Sequence, residues 1–557
     1  MINALQIMLF AIAWFIFGYF WYGGKLGKKV LKVNKSRPTP AVSKYDGLDY
    51  VPTNSVVLFG HHFSAIAGAG PIVGPILAYA LFGWLPALIW ILLGSVFMGA
   101  VHDFSSLVIS IRNDGRSIVE IADGAVSRTA STLFAVFVWF TLALVQAVFA
   151  DLTAKTLIEE PGIAIPTIAL IVIAILFGLM VYKLKINVFI STVLALVALG
   201  LTVWYGLSHP IYLSYDIWLI IIILYSFIAS IIPVWVLLQP RDYISTYILI
   251  LGMLLGIVGI LILNPTITGP TYISFVNKGT PLFPMLFVTI ACGAISGFHS
   301  LVASGTTAKQ LNKEENAQKI AFGGMLTEGL LAVLVITMIS SVLVWDPMGN
   351  SNNPNAFQGF LSQSAEIVFG NALGRAGQAI GIPLAIGVQF GILMLNAFIL
   401  TTLDASARLN RYVMQETLGI RFKGIFKNRY FASGSSLVFA YIFCIGNGYQ
   451  AIWPIFGASN QLIGTLALFT ASAYLFGIKA PKYFTLIPAY IMLVITESAL
   501  FYQAFWLYLP KQDYLLLALS AILFILGIFV AIEATRKIFF SKEKSAVNVD
   551  SSLRSIE

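Results

Sequence analysis

Charge is the scarcest property of this chain. Only 10% of its 557 residues are charged, 59% are hydrophobic, and the mean hydropathy is +0.89. A soluble globular domain carries about 25% charged residues, so that class is excluded. Cysteine is nearly absent, and Cys292 and Cys444 both sit in apolar stretches. Neither a disulfide framework nor a cysteine metal site has support. The chain lacks a Walker A sequence, a G-x-G-x-x-G turn and an H-E-x-x-H helix, which removes the usual signatures of ATP-driven transport, dinucleotide binding and zinc proteolysis. No cofactor or resident metal is expected. The net charge of +9 comes from short lysine and arginine clusters between apolar runs, where membrane orientation accounts for them and nucleic-acid binding is not expected. The first apolar run, Ile2 to Trp21, has neither a positive n-region nor a persuasive A-x-A cleavage site, so it reads as a retained helix.

Apolar runs are abundant instead. Each is long enough to cross a hydrocarbon layer of about 30 Å as a helix. Fifteen are expected, at 3–22, 55–83, 84–110, 129–150, 163–182, 186–206, 217–238, 245–264, 283–305, 321–345, 376–405, 430–447, 451–475, 483–505 and 513–535. With the N-terminus outside, the loops that become cytoplasmic hold 29 of the 33 lysines and arginines, all but Lys155, Lys278, Arg375 and Lys511. One miscounted span would spoil that bias, so the positive-inside rule predicts an N-out, C-in, multi-pass protein of the plasma membrane. The expected division is a first helix with a basic loop (1–44), a transporter core (45–410), a C-terminal bundle (411–540) and a polar tail (541–557). The outer loop 346–377 is rich in Asn and Gly and is a candidate for a short amphipathic piece or a lid.

Three stretches interrupt the apolar pattern: FGHHFSAIAGAGP (59–71, with Gly74 and Pro75 beyond), FIASIIPVWVLLQPRDY (227–243) and ACGAISGFHSLVASGTT (291–307). In hydrocarbon every backbone amide needs a partner, so broken helices are tolerated only against protein or a water-filled cavity. Transporters bind substrate at such breaks, where freed amides hold carboxylates and freed carbonyls hold cations. Close packing through small residues explains glycines as well, but not the two histidines. The second stretch starts five spans after the first and the third starts seven after, so both schemes of inverted repeat satisfy parity. The fold expected is an all-α polytopic membrane protein with an inverted-repeat, leucine-transporter-like five-plus-five core (55–206 and 217–405), with seven-plus-seven as the alternative.

Ionisable groups inside spans need a reason. His61 and His62 point about 100° apart on a helix, so both cannot ligate one metal. His102 and Asp103 read as an interfacial pair or a proton relay. Glu328 and Glu497 lie within spans as candidate proton carriers, and Asp404 is either a coupling carboxyl or the i,i+4 partner of Arg408. His299 stands among serines, either hydrogen-bonded or functional. Asn460 and Gln461 in GASNQLIG suggest hydrogen bonds between helices.

Several stretches in this order resemble the signature stretches of the carbon starvation (CstA) family: GHHFSAIAGAGPIVGPILA (60–78), IPVWVLLQPRDY (232–243), TIACGAISGFHSLVASGTT (289–307), LTTLDASAR (400–408) and WPIFGASNQL (453–462). The likeness runs from about residue 45 to about 475. It implies secondary uptake of small nutrients during carbon limitation, with peptides or pyruvate as substrate, proton coupling for the pyruvate members, and the five-plus-five core. His102 stands where a glutamine is common, and the outer loop is shorter than in long members.

The function expected is therefore a secondary active symporter, not an enzyme, importing pyruvate-like monocarboxylates or short peptides with a proton or sodium ion. His61, His62, Ser64, Ala65, Gly68, Ala69, Gly70, Ser296, His299 and Ser300 are the candidate substrate-binding residues. His61, Asp103, Ser304, Glu328 and Asp404 are the candidates for the coupling ion. The break at Ala65–Gly70 and the segment Ser296–Ser304 should face each other across a midplane cavity. Two other classes fit less well: a transporter-like nutrient sensor without flux, for which no signalling domain is present, and a haem-bearing redox protein using histidines as axial ligands.

Overall fold

The computed structural model describes residues 2–47, 49–233, 236–343, 364–419, 424–446 and 449–540. The tail 541–557 and the first part of the outer loop, 346–363, lie outside the described residues. Nearly everything else is helix. Helix α1 is Ala4–Val30, and the next span divides into α2 (Ser55–Ile66) and α3 (Gly70–Phe82). There follow α4 (Trp84–Ile111), the short α5 (Ile118–Ala125), α6 (Arg128–Glu159), α7 (Pro161–Val181), α8 (Val188–Ser208), α9 (Tyr215–Ile231) and α10 (Leu238–Leu263). A second divided span gives α11 (Leu282–Ile290) and α12 (Gly297–Gly305). The remainder is α13 (Glu314–Ser341), α14 (Ala365–Gln378), α15 (Leu384–Glu416), α16 (Arg429–Ile445), α17 (Ala451–Gly477), α18 (Tyr483–Tyr508) and α19 (Tyr514–Phe540).

Among the described residues 13 helical spans are long and apolar enough to cross a membrane. The other two of the fifteen expected spans correspond to the shorter apolar helices α9 and α16. The chain is an all-α, multi-pass membrane protein. Burial separates its middle from its rim. The spans 282–309 and 451–477 are 94% buried over their apolar windows, whereas α1 and α8 are 28% buried. The rim helices present large apolar side chains outward, among them Phe20, Phe189 and Trp204, as a lipid-facing surface requires.

Both divided spans break where backbone chemistry demands it. Helix α2 ends as Ala67 leaves helical geometry at φ −75°, ψ 59°. Pro71 then falls in the first turn of α3, a position where its missing N–H leaves no bond unmade. Gly60, Gly74 and Pro75, expected to share in the break, lie within the two half-helices, so the break is confined to residues 67–69. The second break begins at Ala291, a non-glycine residue at φ 43°. Such a conformation costs on the order of 1–3 kcal/mol and persists only where surrounding packing holds it. It ends at extended Ser296, ahead of α12. Six apolar helices separate the two divided spans, α9 included. The stretch 227–243, expected as a third interruption, is instead a connection: α9 stops at Ile231 and α10 starts at Leu238.

The described part of the outer loop forms α14, which packs on α10 and α15 as part of the body. Helix α15 runs on past Asp404 to Glu416. Asp404 was expected at a helix end, and it lies well inside one.

Candidate functional site

The two breaks meet. A Cβ at Gly70 would lie 2.4 Å from Cβ of Cys292, one at Gly74 would lie 2.5 Å from the Ile290 carbonyl oxygen, and one at Gly68 would lie 2.5 Å from Thr402 Oγ1. The expected cavity facing the break is closed by direct contact at these points, because glycine lets backbone and side chain approach as no other residue does. The half-helix ends are served differently. Asn460 of α17 accepts a hydrogen bond from the Phe298 amide at 2.9 Å, capping α12 from another helix. The first turn of α3 has no side-chain cap.

Around this junction lie two buried polar clusters, and the adjacent histidines of α2 divide between them. His62 Nδ1 is 2.8 Å from Thr307 Oγ1 and its ring abuts Gly324. His61, turned about 100° round the helix, pairs through Nδ1 with Asp242 Oδ2 at 3.1 Å. The rings part, as helical geometry predicts.

The first cluster is built on α4, α12 and α13. Asp103 Oδ1 takes a 2.5 Å bond from His102 Nδ1, and its Oδ2 takes one of 3.1 Å from His299 Nδ1. His299 Nε2 lies 3.1 Å from Glu328 Oε2, within ion-pair range though not aligned as a hydrogen bond. All four side chains are buried. An ionised carboxylate only accepts, so Asp103 orients both rings with Nδ1–H toward it. The second nitrogen of His299 then faces Glu328. His102 and Asp103, read from sequence as an interfacial pair or a proton relay, are interior members of this chain of four.

The second cluster is built on α2, α9, α10 and α15 around Arg241, which is 1% exposed. Arg241 Nη1 donates to Asp404 Oδ2 and to the Tyr225 hydroxyl, and Nη2 reaches Asp242 Oδ1 at 3.4 Å. The Tyr225 hydroxyl donates to Asp404 Oδ2 at 2.8 Å, and the Ser226 hydroxyl donates to Asp404 Oδ1 at 3.3 Å. The expected pairing of Asp404 with Arg408 is not made. Arg408 donates to the carbonyls of Ala229 and Ile232 at the end of α9, at 2.9 and 2.5 Å, where a cation complements the helix C-terminus.

The remaining candidates divide further. Ser64 Oγ is buried without a partner. Ser296 Oγ is held by Asn460 at 3.0 Å, Ser300 donates to the Gly297 carbonyl, and Ser304 donates to the Ser300 carbonyl while accepting from the Ile118 amide. Asn460 and Gln461 bond other helices, Gln461 reaching the Phe287 carbonyl at 2.8 Å, as expected of them. Glu497 stands apart from Glu328. It lines a groove of about 710 Å³ between α18 and α19, with neither oxygen hydrogen-bonded. Sequence reasoning missed Arg241, Asp242, Tyr225 and Thr402. The signal for the first two was present, an Arg-Asp pair in the quoted QPRDY, but it was counted as loop charge.

The family described as carbon starvation protein CstA matches residues 3–379 and 363–499, beginning earlier than the quoted motifs do. The peptide transporter CstA of Escherichia coli K12 is 35% identical, covering 90% of this chain and 82% of its own. The peptide transporter CstA of Bacillus subtilis 168 is 34% identical, covering 96% and 97%. The pyruvate/proton symporter BtsT of E. coli K12 is 32% identical, covering 90% and 81%. Among solved structures, a manganese transporter of Eremococcus coleocola is similar at TM-score 0.49 and 12% identity, covering 88% of this chain and 99% of its own.

Proposed function

The chain belongs to the carbon starvation protein CstA family, and from that premise we propose that it is a secondary active symporter bringing a small carboxylate nutrient, a pyruvate-like acid or a short peptide, across the plasma membrane with a proton. Its relatives' names, peptide transporter and pyruvate/proton symporter, support the transporter role and the two substrate classes. The N-terminus is outside and the C-terminus cytoplasmic, on the strength of the lysine and arginine bias.

The observation that carries the reading is the chain His102, Asp103, His299 and Glu328, buried beside two broken helices without a lysine or arginine among its bonded members. A buried cluster of carboxyls and imidazoles with no fixed cation reaches neutrality by binding protons. The Gly70 amide at the start of α3 and the Ser64 hydroxyl offer donors to a carboxylate once the break opens. One half of the broken pair is capped from another helix, and the other has no such cap. Rocking of one bundle against the other exposes that site to each side in turn.

Uptake into proteoliposomes tests this. Labelled pyruvate or dialanine should accumulate under an inward proton gradient without sodium, and Glu328→Gln should abolish the response to pH while the purified protein stays folded. Accumulation driven by sodium alone would transfer the coupling to sodium held by serine hydroxyls and freed carbonyls. Saturable binding with no flux under any gradient would make the protein a sensor.

A further inference from the structure

We propose that Arg241 receives the carboxylate of the transported substrate, exchanging Asp404 for it when Asp404 takes up a proton; the inference rests on the symporter reading above. Arg241 is a permanent cation with a planar fork suited to a carboxylate, and in the structure that fork is occupied by the protein's own acids, Asp404 and Asp242. Occupied is not saturated. Among the described residues Arg241 Nε has no hydrogen-bond partner, and the same is true of His61 Nε2, Ser64 Oγ, Ser245 Oγ and Thr402 Oγ1, all buried on α2, α10 and α15. Native proteins leave few buried polar atoms unpaired. These five are among eleven such atoms on three helices that pack together, and with Thr402 against the break at Gly68 they are unused capacity for a polar guest.

Charge conservation dictates how the guest enters. The groups facing Asp404 are Tyr225 and Ser226 from α9, Arg241 and Asp242 from α10 and, behind Asp242, His61 from α2; Arg408 on its own helix turns to carbonyls. Arg241 offsets Asp404 and reaches Asp242, whose other oxygen meets the His61 ring. Adding a carboxylate leaves one negative charge uncompensated in a buried site, at a cost of several kcal/mol. Adding one proton with it restores the balance. A proton on Asp404 removes the charge that holds Arg241 and leaves the guanidinium for the incoming anion. The proton and the carboxylate therefore enter this site one to one: Asp404 is where the coupling proton meets the anion, and the chain ending at Glu328 is where that proton is held beforehand.

Binding to the purified full chain tests this, using as probe whichever of pyruvate or dialanine the wild type takes up. Arg241→Lys keeps the charge and loses the fork, and should weaken binding about tenfold or more with an unaltered gel-filtration profile. Asp404→Asn mimics the protonated acid and should bind the probe as tightly at alkaline as at acidic pH, where the wild type weakens with alkalinity. On the wild type alone, the amide of the probe should fail to compete. Wild-type affinity in Arg241→Lys, wild-type pH dependence in Asp404→Asn, or full competition by the amide would each overturn the assignment while leaving the symporter reading intact. No uptake of either probe by the wild type would remove the reading itself.

Discussion

The two buried clusters use similar acids and histidines for different ends. Asp103 is flanked by two imidazoles and, through one of them, by Glu328. Every charge there can be cancelled by moving a proton. Asp404 is held by a guanidinium and a phenol. Its cluster contains a charge that no physiological pH removes, so its other members adjust around it. We propose that in low dielectric this difference sets the role: one cluster holds protons, the other exchanges its own acid for the carboxylate of the substrate.

The largest expected effect tests that contrast on stability. Arg241→Ala strips the permanent cation from two buried carboxylates and should cost about 3–5 kcal/mol, read as a fall in thermal unfolding temperature in detergent. Glu328→Gln, equally buried, should change stability by less than about 1 kcal/mol, since a group able to shed its charge needs no counterion. Equal losses in both would erase the distinction between the clusters. A smaller effect probes the break beside Thr402. Gly68→Ala puts a Cβ 2.5 Å from Thr402 Oγ1, and overpacking of this kind costs about 1–3 kcal/mol; Thr402→Ala in the same chain should recover part of it. The smallest concerns the capped half-helix. Asn460→Ala removes the cap on α12 and should cost about 1 kcal/mol, with a slower response of uptake to pH because α12 carries His299. Unchanged pH response would detach that cap from the proton cluster.

Much of this was legible in the residues. The breaks at Ala67 and Ala291 lie in the glycine-rich stretches that interrupt the apolar pattern, since hydrocarbon tolerates little else. His61 and His62 diverge because adjacent helical residues must. The pairings were not legible. Asp404 with Arg408 is a sound i,i+4 expectation, but α9 ends beside Arg408 and offers carbonyls, while Arg241, 163 residues away, supplies the acid's partner. His102 and Asp103 read as interfacial because sequence cannot tell a helix end at the water surface from one covered by α12 and α17. The arginine that organises the second cluster was counted with loop charges for the same reason.

Sequence by itself determined the membrane setting, the places where helices break and which way neighbouring side chains diverge, because hydrocarbon burial and helical period act locally along the chain. Only the tertiary structure decided which acid meets which base. Buried ion pairs join helices distant in sequence, and their partners are set by packing that brings small residues such as Gly68 and Gly70 into contact with Thr402 and Cys292.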